Sequence, residues 1–357
     1  MKKLQKIEEE LSYEVDFEEI PPGDIIAYNE LRSAADLYRM HKGGILEIQP
    51  DFQREIVWRN TDQTRFVDSL IKQLPIPSMC FSLDHKTQKW RVIDGLQRMY
   101  TIIRFLGEDD WILSKISDIN QSIAGKKVSE IRAKHADLYR RVENITLPIT
   151  VLRCDYNKEN HNEYMFIIFH RLNAGGLRLN NQEIRNAIYQ GPFNNFLKEC
   201  NENPVWKKLV GVKRDIKDRF RKIELILRFF AFVDDSKTYK GKLASFLNAY
   251  MCEKRDRELE IQGKGKLFKD TVELIYDKIS GKKALSESSN AVIETLMYGV
   301  ATNIKTLEGE NEKIVKGYYD KLLQSEPFKE ENIRQAIYKR KKVSERLSMA
   351  KTIFSGK

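Results

Sequence analysis

The stretch that decides the reading is WRVIDGLQRMYTIIRF, Trp90 to Phe105. A short β-branched run ends at Asp94-Gly95, and the apolar residues Met99, Ile102, Ile103 and, just beyond the stretch, Leu106 then follow helical spacing. The pattern is strand, tight turn, helix. Gly95 permits a sharp turn and a close approach of an anion to the backbone. A helix opening near Leu96 presents unpaired N–H groups, which favour a phosphate. Arg98 falls in its first turn, where a guanidinium can meet the same phosphate with two bonds. Asp94, at the strand end, is a candidate for a metal or a ribose hydroxyl. On these residues alone the turn reads equally well as a surface turn with a solvated arginine. No G-x-x-x-x-G-K-[ST] loop occurs anywhere in the chain, so a nucleotide site here is not a P-loop.

Working outward, a polar N-terminal arm leads to an expected helix over Leu31–Met40 and a strand over Ile45–Ile48. Apolar residues recur at helical spacing from Thr61 to Leu74, and Pro75 and Pro77 end that helix. Met79–Leu83 and Lys89–Ile93 form an expected hairpin around DHKTQ. Leu147–Leu152 is strand-like, and Glu163–Arg171 and Asn181–Tyr189 are expected helices flanking the break NAGGLRL. Beyond Gly191 nearly every segment follows a helical period. The expected organisation is therefore an α+β domain over residues 1–190 and an all-helical domain over residues 191–357.

Charge divides along the same line. Residues 1–190 hold 27 Lys+Arg against 28 Asp+Glu, whereas residues 191–357 hold 35 against 24, a net of +11. This asymmetry points to an acidic polymer, DNA first, as the partner of the second half. In WKKLVGVKRDIKDRFRK (206–222), Lys213, Arg214, Lys217 and Arg221 are the candidate phosphate contacts; a second cluster lies in YKRKKVSER, 338–346. No apolar run approaches the roughly 20 residues of a membrane span, and no secretory signal follows the initial lysines, so a cytoplasmic protein is expected. The four cysteines show no CxxC spacing and read as reduced, mostly buried thiols.

Three blocks in order carry a resemblance to a known family. They are PDFQREIVW (50–58) with FVDSLIKQLPIP (66–77), then VIDGLQRMYTI (92–102), then FHRLNAGGLRLNNQEIRNA, 169–187. The chain resembles the N-terminal domain of GmrSD-type restriction endonucleases, whose members share a DGQQR motif and a ParB/sulfiredoxin-like fold. The resemblance implies that Asp94, Gly95, Gln97 and Arg98 line a nucleoside triphosphate site with Mg²⁺ on Asp94. It places Gln53 and Arg54 beside that site, and Arg171, Asn173 and Gly175 closing it. Leu96 stands where the family has its first glutamine, which puts turnover in doubt more than binding. Glu183 and Arg185 are expected to anchor their helix through ion pairs.

Family members pair this domain with a His-Asn-His nuclease. All five histidines here lie at or before His170, so no such nuclease can be built from the second half, and a separate nuclease subunit is expected if DNA is cut. The function implied is a nucleotide-binding sensor or regulatory subunit of an anti-phage or restriction system, with Mg²⁺-assisted NTP hydrolysis and a homo-oligomer both left open. Two alternatives stand beside it: a non-enzymatic ParB-like DNA-binding regulator, and a sulfiredoxin-fold phosphotransferase. No cysteine flanks the Gly95–Arg98 turn in sequence, which disfavours sulfiredoxin chemistry itself.

Overall fold

The structure, a computed structural model, describes residues 22–48, 58–172, 180–211, 220–285, 288–328 and 337–356. Its described residues divide into two packed units, 22–172 and 180–356. The helix Asn181–Ile188 therefore belongs with the C-terminal unit, although the sequence reading places the join at 190.

The N-terminal unit is built on a five-stranded mixed sheet. Its strands are β1 (Ile26–Ser33), β2 (Leu46–Glu47), β3 (Met79–Asp84), β4 (Trp90–Asp94) and β5 (Thr146–Cys154), in the order β1-β5-β3-β4-β2. β1 runs antiparallel to β5 and β3 antiparallel to β4, while the β5/β3 and β4/β2 pairs are parallel. The register aligns Met79 with Ile149 and Phe81 with Val151, which gathers one apolar face. Helices α1 (Ala34–Lys42), α2 (Asn60–Ile71), α3 (Leu96–Gly107) and α5 (Ala136–Asn144) supply the buried residues Leu37, Val67, Leu70, Met99, Ile102, Phe105 and Val142 to the same core. A short helix, α4 (Val128–Lys134), precedes α5. Pro148 is tolerated within β5 because the β3 pairing begins at Ile149, so Pro148 is flanked only by Leu31 of β1.

The opposite face of β3 is also covered, so the whole strand is buried. Helix α6 (Glu159–Leu172) packs on β4. Beneath it the Ser82 and Tyr156 hydroxyls share a 2.5 Å hydrogen bond, and the Arg91 guanidinium stacks 4.2 Å from the Tyr156 ring.

Two expected elements change. Leu31–Ser33 belong to β1 rather than to a helix, and the helix begins only at Ala34, where the Ser33 hydroxyl accepts the Asp36 N–H at 3.1 Å. The eight-residue strand thus begins within the arm that the sequence marks only as polar. It lies at the sheet edge with Ile26, Tyr28 and Leu31 exposed, so it lacks the alternation that marks a half-buried strand.

Every segment of regular structure described in the C-terminal unit is helical, as the periodicity predicts. The helices are α7 (Asn181–Ile188), α8 (Pro192–Glu202), α9 (Pro204–Val210), α10 (Arg221–Asp235), α11 (Leu243–Lys254), α12 (Glu258–Leu274), α13 (Asn290–Thr302), α14 (Ile304–Gly309), α15 (Glu312–Gln324) and α16 (Arg340–Phe354). Among the described residues no helix is long and apolar enough to cross a membrane. The four cysteines are free thiols; Cys80, Cys154 and Cys200 are buried and Cys252 is partly so.

α7 is buried along its whole length, polar residues included. Asn180 and Glu183 close a capping box, with the Asn180 N–H on Glu183 Oε2 at 2.6 Å and the Glu183 N–H on Asn180 Oδ1 at 2.9 Å. Arg185 does anchor the helix by an ion pair, to Glu224 Oε2 at 3.0 Å, and its Nε donates to Asn248 at 2.8 Å. From Glu224 the network continues through Arg228 (2.6 Å) to Glu294 (3.4 Å) and Arg346 (3.4 Å).

Candidate functional site

The DGLQR turn is set by its neighbours on both sides. β4 ends at Asp94, which lies across from Cys80 after a register shift in β3. Gly95 takes φ +95°, in the left-handed region, and its carbonyl accepts the Met99 N–H at 2.8 Å to open α3. A Cβ on Gly95 would meet Met79 Cγ at 2.5 Å. Glycine is thus required by the backbone and by the packing of Met79. Gly95→Ala is expected to lower stability by roughly 2–4 kcal/mol, from the left-handed strain plus overpacking. Denaturant unfolding of Gly95→Ala, Met79→Ala and the double variant checks this. The double variant should cost less than the sum of the singles, and strict additivity would show that Met79 is not what demands the glycine.

Arg98 does not extend into solvent. Its Nη2 bonds Asp94 Oδ2 at 2.9 Å and its Nη1 donates to the Pro77 carbonyl at 2.5 Å, leaving its side chain only 15% exposed. The guanidinium therefore ties the end of β4 to the Pro75–Pro77 segment before β3. Burial pulls it below its ordinary pKa and the Asp94 carboxylate opposes that pull, so it remains cationic at neutral pH. Two of its five N–H groups are used in these bonds, and among the described residues the others have no partner.

Gln97 reaches across to the first block. Its Oε1 accepts the Trp58 N–H at 3.3 Å, while Gln63 Nε2 donates to the Trp58 carbonyl at 3.0 Å. Trp58 packs edge-on against Phe66 with ring centroids 5.4 Å apart. The end of the first block thus meets the second at Gln97. Gln53 and Arg54 themselves lie outside the described residues, as do Asn173 and Gly175 of the third block. Arg171 is in the last turn of α6 and exposed. Among the described residues no three His, Cys, Asp or Glu side chains gather closely enough to hold a metal ion, so Asp94 stands as a single carboxylate.

Sequence spacing misses Cys80, which the hairpin register brings opposite Asp94. Burial, with the Asp94 carboxylate beside it, pushes its thiol up to about 12. A thiol so protonated is a poor nucleophile. In the C-terminal unit, Arg221 opens α10 with its Nε on Asn290 Oδ1 at 2.6 Å. Lys213, Arg214 and Lys217 lie outside the described residues.

No curated protein and no solved structure matches the chain. Residues 34–190 match the family model for the N-terminal domain of the GmrSD restriction endonuclease. The match contains the Trp58–Gln97 contact, the Asp94–Arg98 turn and α7. Over residues 34–190, somewhat less than half of its length, the chain is similar to the N-terminal domain of the GmrSD restriction endonuclease.

Proposed function

We propose that this chain is a nucleotide-binding regulatory component of a restriction or anti-phage system, with a ParB/sulfiredoxin-like N-terminal unit whose nucleotide state controls how the basic helical half engages DNA or a nuclease subunit. The similarity of residues 34–190 to the GmrSD N-terminal domain supports the restriction context. The observation that carries the nucleotide reading is the placement of Arg98. Its guanidinium is held at the first turn of α3 by Asp94 and the Pro77 carbonyl, and its remaining donors, without a partner among the described residues, lie beside the helix N-terminus. Charge-assisted donors next to oriented backbone amides are what a triphosphate requires.

Mg²⁺ fits the donor set. This ion is commonly held by one or two carboxylates together with substrate phosphate oxygens, and Asp94 offers one carboxylate, about a third exposed, at 35%. Asp94 would hold the ion against the phosphates, and the ion would offset their charge. Arg98 would orient the phosphate group, and Gln97 would keep the Trp58 segment against the turn. Leu96 brings no polar group to the site, so the reading rests on binding and not on turnover.

Calorimetric titration of the intact chain with ATP, GTP, CTP and UTP, with and without Mg²⁺, tests it. Saturable, Mg²⁺-strengthened binding of at least one triphosphate is expected. Absence of binding to all four would remove the nucleotide reading and return the turn to a structural role.

A further inference from the structure

The C-terminal unit brings together two basic segments that are nearly a hundred residues apart in sequence. The first is SKTYKGK, Ser236–Lys242, which joins α10 to α11; the second is YKRKK, Tyr338–Lys342, which opens α16. Together they hold the seven cations Lys237, Lys240, Lys242, Lys339, Arg340, Lys341 and Lys342 and no carboxylate.

Their junction is built into the fold. The Tyr239 hydroxyl donates to the Tyr338 carbonyl. Tyr239, Phe232, Val343 and Leu347 form one buried cluster against which Phe246 and Tyr338 pack. Ring centroids lie 5.5 Å apart for Phe232–Tyr239 and 5.2 Å for Tyr239–Phe246. Gly241 has φ +97°, and a Cβ there would stand 3.1 Å from the Arg340 nitrogen, so the loop backbone abuts the start of α16. Apolar packing thus fixes the two segments while their cations point outward. Lys237, Lys240, Lys339, Arg340 and Lys341 are exposed, and among the described residues none of the five has a carboxylate within ion-pair distance.

Local stability does not account for this arrangement. The first turn of α16 carries no acidic residue, its N-cap Lys339 makes no side-chain cap, and cations there oppose the helix dipole by about 0.3–1 kcal/mol each. The nearby carboxylates are engaged or set apart. Asp234 takes Lys264 and the Tyr250 hydroxyl, Asp235 closes α10, and Glu345 lies a turn further along α16. Arg346, part of the same basic run in sequence, is buried on Glu294 and the Ile337 carbonyl and so belongs to the core.

We infer that the Gly241–Arg340 junction is a phosphate-backbone contact surface for double-stranded DNA. This rests on the proposal that the helical half engages DNA, and it names a surface distinct from residues 213–221. Unpaired lysines and an arginine held on a rigid base suit a regularly spaced polyanion. Contacts of this kind to the phosphate backbone carry no sequence information, so affinity is expected to be independent of sequence.

The test compares the intact wild-type chain with Lys240→Gln/Lys339→Gln/Arg340→Gln/Lys341→Gln on two unrelated DNA duplexes across a salt series. A charge-keeping Lys240→Arg/Lys339→Arg/Lys341→Arg variant and a Lys213→Gln/Arg214→Gln/Lys217→Gln/Arg221→Gln variant run alongside, with thermal melts as the folding control. The junction variant should lose about tenfold or more in affinity for both duplexes, and its salt slope should flatten by up to about 3.6, given about 0.9 for each of four phosphate contacts. The arginine variant should bind as wild type. Unchanged affinity and slope in the folded junction variant, with the loss confined to the 213–221 variant, would overturn the junction and leave the DNA proposal standing. A wild-type chain that binds neither duplex would overturn both. Preference for RNA hairpins or anionic vesicles, lost in the junction variant while duplex binding is unchanged, would also overturn the assignment.

Discussion

Arg98→Ala is expected to weaken nucleoside triphosphate binding by roughly ten- to a hundredfold. The side chain supplies the charge at the turn, and a charge-assisted bond contributes about 1.5–3 kcal/mol, where about 1.4 kcal/mol is tenfold. Arg98→Lys should recover only part of the loss. A lysine keeps the charge but cannot span Asp94 and the Pro77 carbonyl with a planar fork, and it presents no second parallel donor to a phosphate. Folding should survive both changes, because the apolar contacts of α3 run through Met99, Ile102 and Phe105. Titration of both variants, with thermal melts, checks the order wild type, lysine, alanine. Wild-type affinity in a well-folded Arg98→Ala would leave the Asp94–Arg98 pair as a clamp between β4 and the proline segment and nothing more.

The second large effect lies in the helical unit. Glu224 receives Arg228 at 2.6 Å and Arg185 at 3.0 Å, and both arginines are 1% exposed. Burial works to raise the Glu224 pKa, but Arg228 and Arg185 outweigh it and hold the carboxyl below its ordinary value. Removing the carboxylate leaves two guanidinium groups in the interior without it, and breaking a buried pair in this way typically costs 3–5 kcal/mol. Glu224→Ala should therefore lower the unfolding temperature by roughly 10 °C or more. Glu294→Ala should cost less, because its ion pairs with Arg228 and Arg346 are longer, 3.4 Å each. Scanning calorimetry of the two variants measures the order. A Glu224→Ala loss below about 1 kcal/mol would mean that the arginines find other acceptors or water.

The residues that were legible in sequence are those whose local chemistry and packing agree. Met79–Leu83 and Lys89–Ile93 read as strands because a polar turn joins two β-rich runs, and the observed strands differ from these bounds by one residue; Asp94-Gly95 marked the turn into α3 because a left-handed position favours glycine. What stayed hidden depends on partners distant in sequence. β1 has no alternating pattern because, at the sheet edge, much of it faces solvent on both sides. Cys80 reaches Asp94 only through the hairpin register and its shift. Gly95 was legible as a turn residue, but the side chain filling the space beside it, Met79, was not. Arg346 sits in a run of lysines and reads as surface charge, yet a buried Glu294 draws it inward. The loop 236–242 drew no notice because its lysines join a basic surface only once Tyr239 docks on Tyr338.

The strand order also sets when the N-terminal unit can close. β3 and β4 are joined by a few residues and can pair at once, whereas β1 at Ile26–Ser33 has its partner at Thr146–Cys154. β5 is also the parallel neighbour of β3, so the two pairings of the sheet that span the most sequence wait for the same nine residues. At ordinary rates of synthesis the gap is on the order of ten seconds, during which a nascent chain carries β1 without a partner and one side of β3 open. β5 is thus the keystone of the domain in time as well as in space: the hairpin that carries Asp94 forms early, and the sheet that fixes its position forms last.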